Sequence, residues 1–263
     1  MRWATNPMVE YSDVHRLSPV RLTLSLCEGL HWLSEVVPIN STHRNPQDMR
    51  LLDALAAGNS STRLAAALAV GTHPEPGFVD ALIERCAIEP DFYVRDMLTW
   101  ALTRLPSEIT VPKLRAELRS ERAQARSQAL HTLSKIGDRG AWPAITRSLL
   151  HDADDEVARS AWRAAVVLVP DGAKKGLAEE LASQFGRGDR EVRLSLSRAL
   201  VALGDVVEPV LRKAMASHDP TVRAHVSATE RLLRDPDAGF DLAVGAARRV
   251  VALGPDREET TAC

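Results

Sequence analysis

Apolar residues recur along the middle of this chain in a stripe that only a helix can present on one side. After Arg95 they fall at Leu98, Ala101, Leu102 and Leu105; after Arg193 at Leu196, Ala199, Leu200 and Leu203; after Arg159 at Trp162, Ala165, Val166 and Val169. Steps of three, three, one and three residues return to the same helical face, so each stretch predicts an amphipathic helix of about four turns. The register repeats. The arginine itself comes back as Arg63, Arg95, Arg126, Arg159, Arg193 and Arg223, at intervals of 32, 31, 33, 34 and 30 residues. Four residues before each stands Asn59, Asp91, Arg122, Asp155, Asp189 or Asp219, and five of these six are residue types whose side chain caps an orphan amide at a helix start. Just beyond the stripes come Pro106, Gly137, Pro170 and Gly204, which stop the helix.

A second, preceding helix is read from ITVPKLRAELRS (109 to 120), AWPAITRSLLHD (141 to 152) and VVEPVLRKAMASHD (206 to 219), each leucine-rich with a proline near its start. That proline is expected in the first helical turn, where no intrahelical amide is lost. Each unit is then a helical hairpin of about 32 residues, too small to hide two apolar stripes by itself. Neighbours must stack and share a core. The expected fold class is all-α: an α-solenoid, a right-handed superhelix of about six HEAT-like hairpins.

The units are similar to HEAT repeats, in particular the short bacterial kind also found in the phycobilisome-lyase-like HEAT group. VEPVLRKAMASHDPTVRAHVSAT, residues 207 to 229, carries the pattern most fully: a proline in the first helix, an Asp-Pro turn, and Val-Arg opening the second helix. The resemblance spans about 200 of the 263 residues. Thr62, Ala125 and Ala158 replace the valine, and Arg122 the turn acid. What the resemblance implies for the arginine column (Arg63, Arg95, Arg126, Arg159, Arg193, Arg223) is structural: stems packed between repeats, and hydrogen bonds to a turn carboxylate or carbonyl of a neighbour.

Outside the repeats, residues 1 to 48 form an N-terminal extension. VRLTLSL (20 to 26) alternates as a strand does, while Leu22, Leu26, Leu30, Leu33 and Val37 share one helical face; a capping helix is favoured, and a partly disordered segment ahead of a natural start at Met49 is the rival. The repeat domain runs from 49 to 253, closing with a helix over 237 to 253, and 254 to 263 is a polar tail.

Bulk properties narrow the function classes. Net charge is -2, from 33 basic and 35 acidic residues, so the broad positive field that attracts phosphate backbones is missing and nucleic acid is disfavoured as a partner. Cys27, Cys86 and Cys263 are odd in number and widely spaced, which suggests free thiols in a reducing cytoplasm. The sequence has no run of 18 apolar residues and no apolar signal block near its start, so a cytoplasmic protein with no membrane association is expected.

Catalytic and metal signatures do not emerge. His31, His43, His73, His131, His151, His218 and His225 form no HxxxH or HExxH pair, and GxSxG, GxxxxGK[ST] and GxGxxG are absent. His151 and His218 read as solvated loop residues, Cys86 as core, Trp142 and Trp162 as core. No cofactor, metal or small-molecule substrate is indicated. The remaining candidate is the inner wall of the superhelix, taken as the second, fifth and ninth residues after each arginine. These are Met97, Trp100 and Arg104, then Gln128, His131 and Lys135, with Arg198 further on; Trp beside Arg and Met is the composition of a binding hot spot. The leading expectation is a non-catalytic scaffold for another protein or peptide. Alternatives are a DNA-binding or DNA-repair HEAT-like protein, with Arg104, Lys135, Arg163 and Arg198 as a basic strip, and a lyase-like HEAT protein assisting modification of a partner. The last rests on fold analogy alone.

Overall fold

A computed structural model describes residues 45–235; the expected N-terminal extension, closing helix and polar tail lie outside the described residues, apart from 45–48. Twelve α-helices fill the described chain in antiparallel pairs, with no strand among the described residues. The pairs are α1 (Pro46–Leu55) with α2 (Ser60–Thr72), α3 (Val79–Cys86) with α4 (Phe92–Thr103), and α5 (Ser107–Glu117) with α6 (Ala123–Ile136). They continue as α7 (Arg147–Leu150) with α8 (Asp155–Leu168), α9 (Lys174–Ala182) with α10 (Arg190–Val201), and α11 (Glu208–Met215) with α12 (Pro220–Arg234). The first hairpin starts at Pro46, just ahead of Met49, because Asn45 caps the amide of Gln47.

The even-numbered helices pack one on the next from α2 to α12, forming one layer, and the odd-numbered helices line the other. Between the layers a single apolar cluster runs from Leu55 to Val226, and Leu194, Ala228 and Leu232 form a small second cluster near the end. The expected stripe residues sit there: Leu98, Ala101, Leu102, Trp162, Ala165, Leu196 and Leu200 are all buried. This is an α-solenoid.

Local sequence sets the helix ends. Asn59, Asp91, Asp189 and Asp219 cap their helices with side-chain oxygens. In the fourth hairpin the cap is Asp154, one residue earlier than the expected Asp155, with Oδ1 accepting from the amides of Glu156 and Val157. Arg122 makes no side-chain cap, as its chemistry requires. Gly137 ends α6 in the left-handed region (φ 73) that a glycine adopts freely.

The prolines depart from expectation in two of three units. Only Pro209 sits in a first turn. Pro112 lies inside α5, where it cannot donate to the carbonyl one turn back. Pro143 lies in a 3-10 stretch, Arg139–Ala144, that replaces most of the expected first helix and leaves α7 four residues long. A ring that removes a donor is tolerated there because the tighter 3-10 turn needs fewer α-type bonds.

Candidate functional site

Four of the six recurring arginines tie a turn to the helix that follows it. Arg63 Nη1 donates to the carbonyls of Ala57 (2.9 Å) and Gly58 (2.8 Å), and Arg95 Nη1 to those of Glu89 (2.9 Å) and Pro90 (2.8 Å). Arg126 does the same to Ser120 and Glu121, and Arg223 to Ser217 and His218. The acceptors are always six and five residues back, so one guanidinium satisfies two carbonyls that a turn leaves open. Arg159 breaks the series and pairs with Glu156, and the Nε atoms of Arg159 and Arg193 are buried without a partner. Near the fourth turn Arg187 steps in: it donates to the Asp152 carbonyl and the Asp155 carboxylate, and its guanidinium lies 5.8 Å from the Trp162 ring centre.

Two arginines also reach the next hairpin. Arg63 grips Glu89 through Nε and Nη2, both at 2.7 Å, and Arg126 grips Asp152 through the same pair of nitrogens. Glu89 has no accessible surface. Its carboxylate also takes Arg85 Nε (2.7 Å) and the Asp91 amide (2.9 Å), while Gln124 donates to its backbone carbonyl. Burial by itself raises such a carboxyl; the Arg63 contact, the Asp91 amide and Arg85 outweigh it and hold Glu89 at about 2.

The candidate binding residues divide into three groups. Gln128 and His131 line a groove of about 540 Å³ that crosses α4, α6 and α8. Arg95, Asp96 and Thr99 contribute from α4, Gln124 and Ser127 from α6, and Glu156, Ser160 and Arg163 from α8, with Asp154 at its start. Lys135 and Arg198 line a neighbouring hollow of about 380 Å³ on α6, α8 and α10, and Arg163 borders both. Met97, Trp100 and Arg104 line neither. Met97 packs half-buried against the core and Arg104 is exposed. Trp100 is 37% exposed, its ring laid so closely over Gly71 that a Cβ there would meet it at 2.1 Å.

Helical geometry accounts for only part of this division. At roughly 100° per residue, the point opposite the apolar stripe falls nearest the first, fifth and eighth residues after each arginine. Trp100, a fifth residue, belongs to that outward set yet lies over Gly71 of the preceding hairpin, whereas Gln128, a second residue, lines the groove, so the offset from the arginine does not by itself sort groove residues from the rest.

Electrostatics within the groove is mixed. Burial lowers the pKa of His131, and Lys135 and Arg163 lower it further against the opposing pull of Asp96. The Ser127 and Ser160 hydroxyls meet at 3.1 Å in the floor, and Arg163 donates to Ser160 Oγ and to Glu156. Phe92, 64% exposed, stands at the rim beside Tyr93, their rings edge to face at 5.6 Å.

Elsewhere the histidines and cysteine have structural settings. His151 is not a solvated loop residue: it is half-buried and meets Glu180 and Gln184, because α9 packs against its turn. His225 is buried, with Nδ1 accepting from the Gly186 amide at 3.1 Å and Nε2 facing the Arg193 carbonyl (3.0 Å) and Ser197 Oγ (3.1 Å). Burial pushes its pKa down to about 4. The Cys86 thiol is pushed up to about 12 by burial, so it carries no thiolate near neutral pH. Among the described residues no cluster of His, Cys, Asp and Glu could hold a metal ion, and no helix is long and apolar enough to cross a membrane.

Residues 79–165 match the family model of HEAT repeats. No curated protein matches the sequence. Solved structures similar to the chain include the complex of CpcE and CpcF of phycocyanin lyase from Nostoc sp., 20% identical over 82% of this chain and 91% of that one, with a TM-score of 0.42. The match covers α3 to most of α8, which are thus similar to HEAT repeats, and the first and last hairpins of the described residues carry the same capped helix and turn-binding arginine.

Proposed function

We propose that the protein is a non-catalytic scaffold that binds a partner protein or peptide on the layer of even-numbered helices. The observation that carries this reading is the groove across α4, α6 and α8, which spans three hairpins and is lined by hydroxyls, carboxamides and charges of both signs. Such a surface offers directional contacts to a polypeptide without assembling a nucleophile and base. Its acids, Asp96, Asp154 and Glu156, weigh against nucleic acid as the occupant, since a phosphate backbone would face three carboxylates.

Site-specific photo-crosslinking tests the proposal. A photoreactive amino acid is placed at Gln128 in the groove and, as a control, at Glu108 on α5. A discrete protein adduct from Gln128 alone, lost when a second substitution, His131→Arg, crowds the groove, supports the scaffold. Equal labelling from both positions refutes it.

A further inference from the structure

We propose that the groove receives an extended segment of the partner carrying a lysine or arginine, whose cationic head pairs with Asp96 while the neighbouring peptide group accepts from Thr99. This rests on the partner-binding reading above and adds to it the chemistry of the partner.

Thr99 is the first ground. Its side chain is buried to 3% exposure and lines the groove, yet its hydroxyl has no hydrogen-bond partner. Thr72, Thr110, Thr132 and Thr229 each donate to the carbonyl four residues back. A buried hydroxyl left without any acceptor is costly; the Thr99 oxygen is closed off from solvent, so an acceptor in the groove reaches it once the side chain turns toward the groove that Thr99 lines. Asp96 is the second ground. It lies three residues before Thr99, on the same side of α4, and makes no ion pair among the described residues. Arg95 Nη1 is held by two turn carbonyls and keeps its charge at the groove edge, while Arg163 is held by Ser160 and Glu156. Of the acids on the far wall Glu156 is already paired with Arg159 and Arg163, which leaves Asp96 and Asp154 to meet an incoming cation.

The size fits an extended chain. Two interhelical spacings of ~10 Å separate α4 from α8, a span of ~20 Å that about six extended residues cross. Gln128, midway on α6, makes no side-chain hydrogen bond of its own and offers a peptide unit both a donor and an acceptor. Phe92 at the rim presents an exposed ring on which an apolar residue of the same segment packs.

The test uses the full chain and twelve-residue peptides selected from a random phage-displayed library, then synthesised with a fluorescent label and measured by anisotropy. Selected peptides are expected to share a Lys or Arg. Its replacement by alanine weakens binding about tenfold, as does Asp96→Asn in the protein, and the two together weaken it little further, because a charge-assisted hydrogen bond is lost once. Thr99→Val weakens binding several-fold without lowering the melting temperature, and Glu108→Gln changes nothing. Peptides that are lost on Gln128→Arg but carry no basic residue, or ignore Asp96→Asn, overturn the inference and leave the scaffold reading standing. Failure to select any peptide, or selection only of peptides indifferent to Gln128→Arg, overturns both.

Discussion

Replacing Glu89 by glutamine removes one charge and leaves the side chain's shape intact. The carboxylate accepts four hydrogen bonds: two from Arg63, one from Arg85 and one from the Asp91 amide. A carboxamide supplies a single oxygen, and its NH2 group is turned against at least one of these donors. The folded protein holds this carboxyl at about 2 against an ordinary value of 4.5. That displacement corresponds to about 3 kcal/mol of stability at neutral pH, in the range for breaking a buried ion pair. Because the folded value is depressed, the contribution is complete above pH 4.5 and fades as pH falls toward about 2. Urea unfolding of wild type and Glu89→Gln, followed by circular dichroism from pH 7 to pH 3, reads both features. The expected gap is about 3 kcal/mol at pH 7, shrinking by about half at pH 3. A gap under about 0.5 kcal/mol at pH 7, the size of an ordinary surface change, or one that does not narrow with acid, refutes the account.

Four other outcomes follow from particular contacts. Thr99→Val removes an unpartnered buried hydroxyl and is expected to stabilise the free protein by about 1 kcal/mol in urea titrations. Trp162→Ala deletes a fully buried ring whose Nε1 donates to the Leu150 carbonyl at 2.9 Å; a loss of about 3–5 kcal/mol is expected, and a loss under 2 contradicts its place in the core. Trp100→Ala should cost only about 1–2 kcal/mol, since part of the ring already faces solvent. His225 is disfavoured as a cation in the fold, at about 4 against 6.5, so stability should fall as pH drops from 6.5 toward 4, and His225→Phe should flatten that slope in the same titrations.

The arginine column and the stripe behind it were legible because both are periodic: six arginines at intervals of 30 to 34 residues, five of them preceded by a capping residue type. The hairpins and core follow from that, and the stripe members appear where the periodicity placed them. Errors arose where one residue decides. Asp154 and Asp155 are equally good caps, and the choice between them is made by packing of the whole helix. Pro143 reads like Pro209 in sequence, yet it falls ahead of a turn and shortens α7 to four residues. For the site, one rule of spacing selected Gln128, His131 and Trp100 alike; the first two line the groove and Trp100 does not. Its destination was set by a glycine 29 positions earlier, Gly71, whose missing Cβ makes room for the ring. Long-range vacancy of that kind leaves no local signal. Nor does the capture of Glu89 by Arg63, because Arg95 looks the same in sequence and finds no such acid among the described residues.

The joints between hairpins are not all built alike. Arg63 with Glu89 and Arg126 with Asp152 lock the first junction and the third, a carboxamide from Gln124 spans the second, Arg187 bridges the fourth, and His225 with Ser197 and Thr229 joins the last. The modules are thus alike in outline but keyed to their neighbours. Copying or excising a single one would bring mismatched keys face to face, so this array has an addressable order: each hairpin has one seat, and its length cannot drift by simple duplication without remaking a lock.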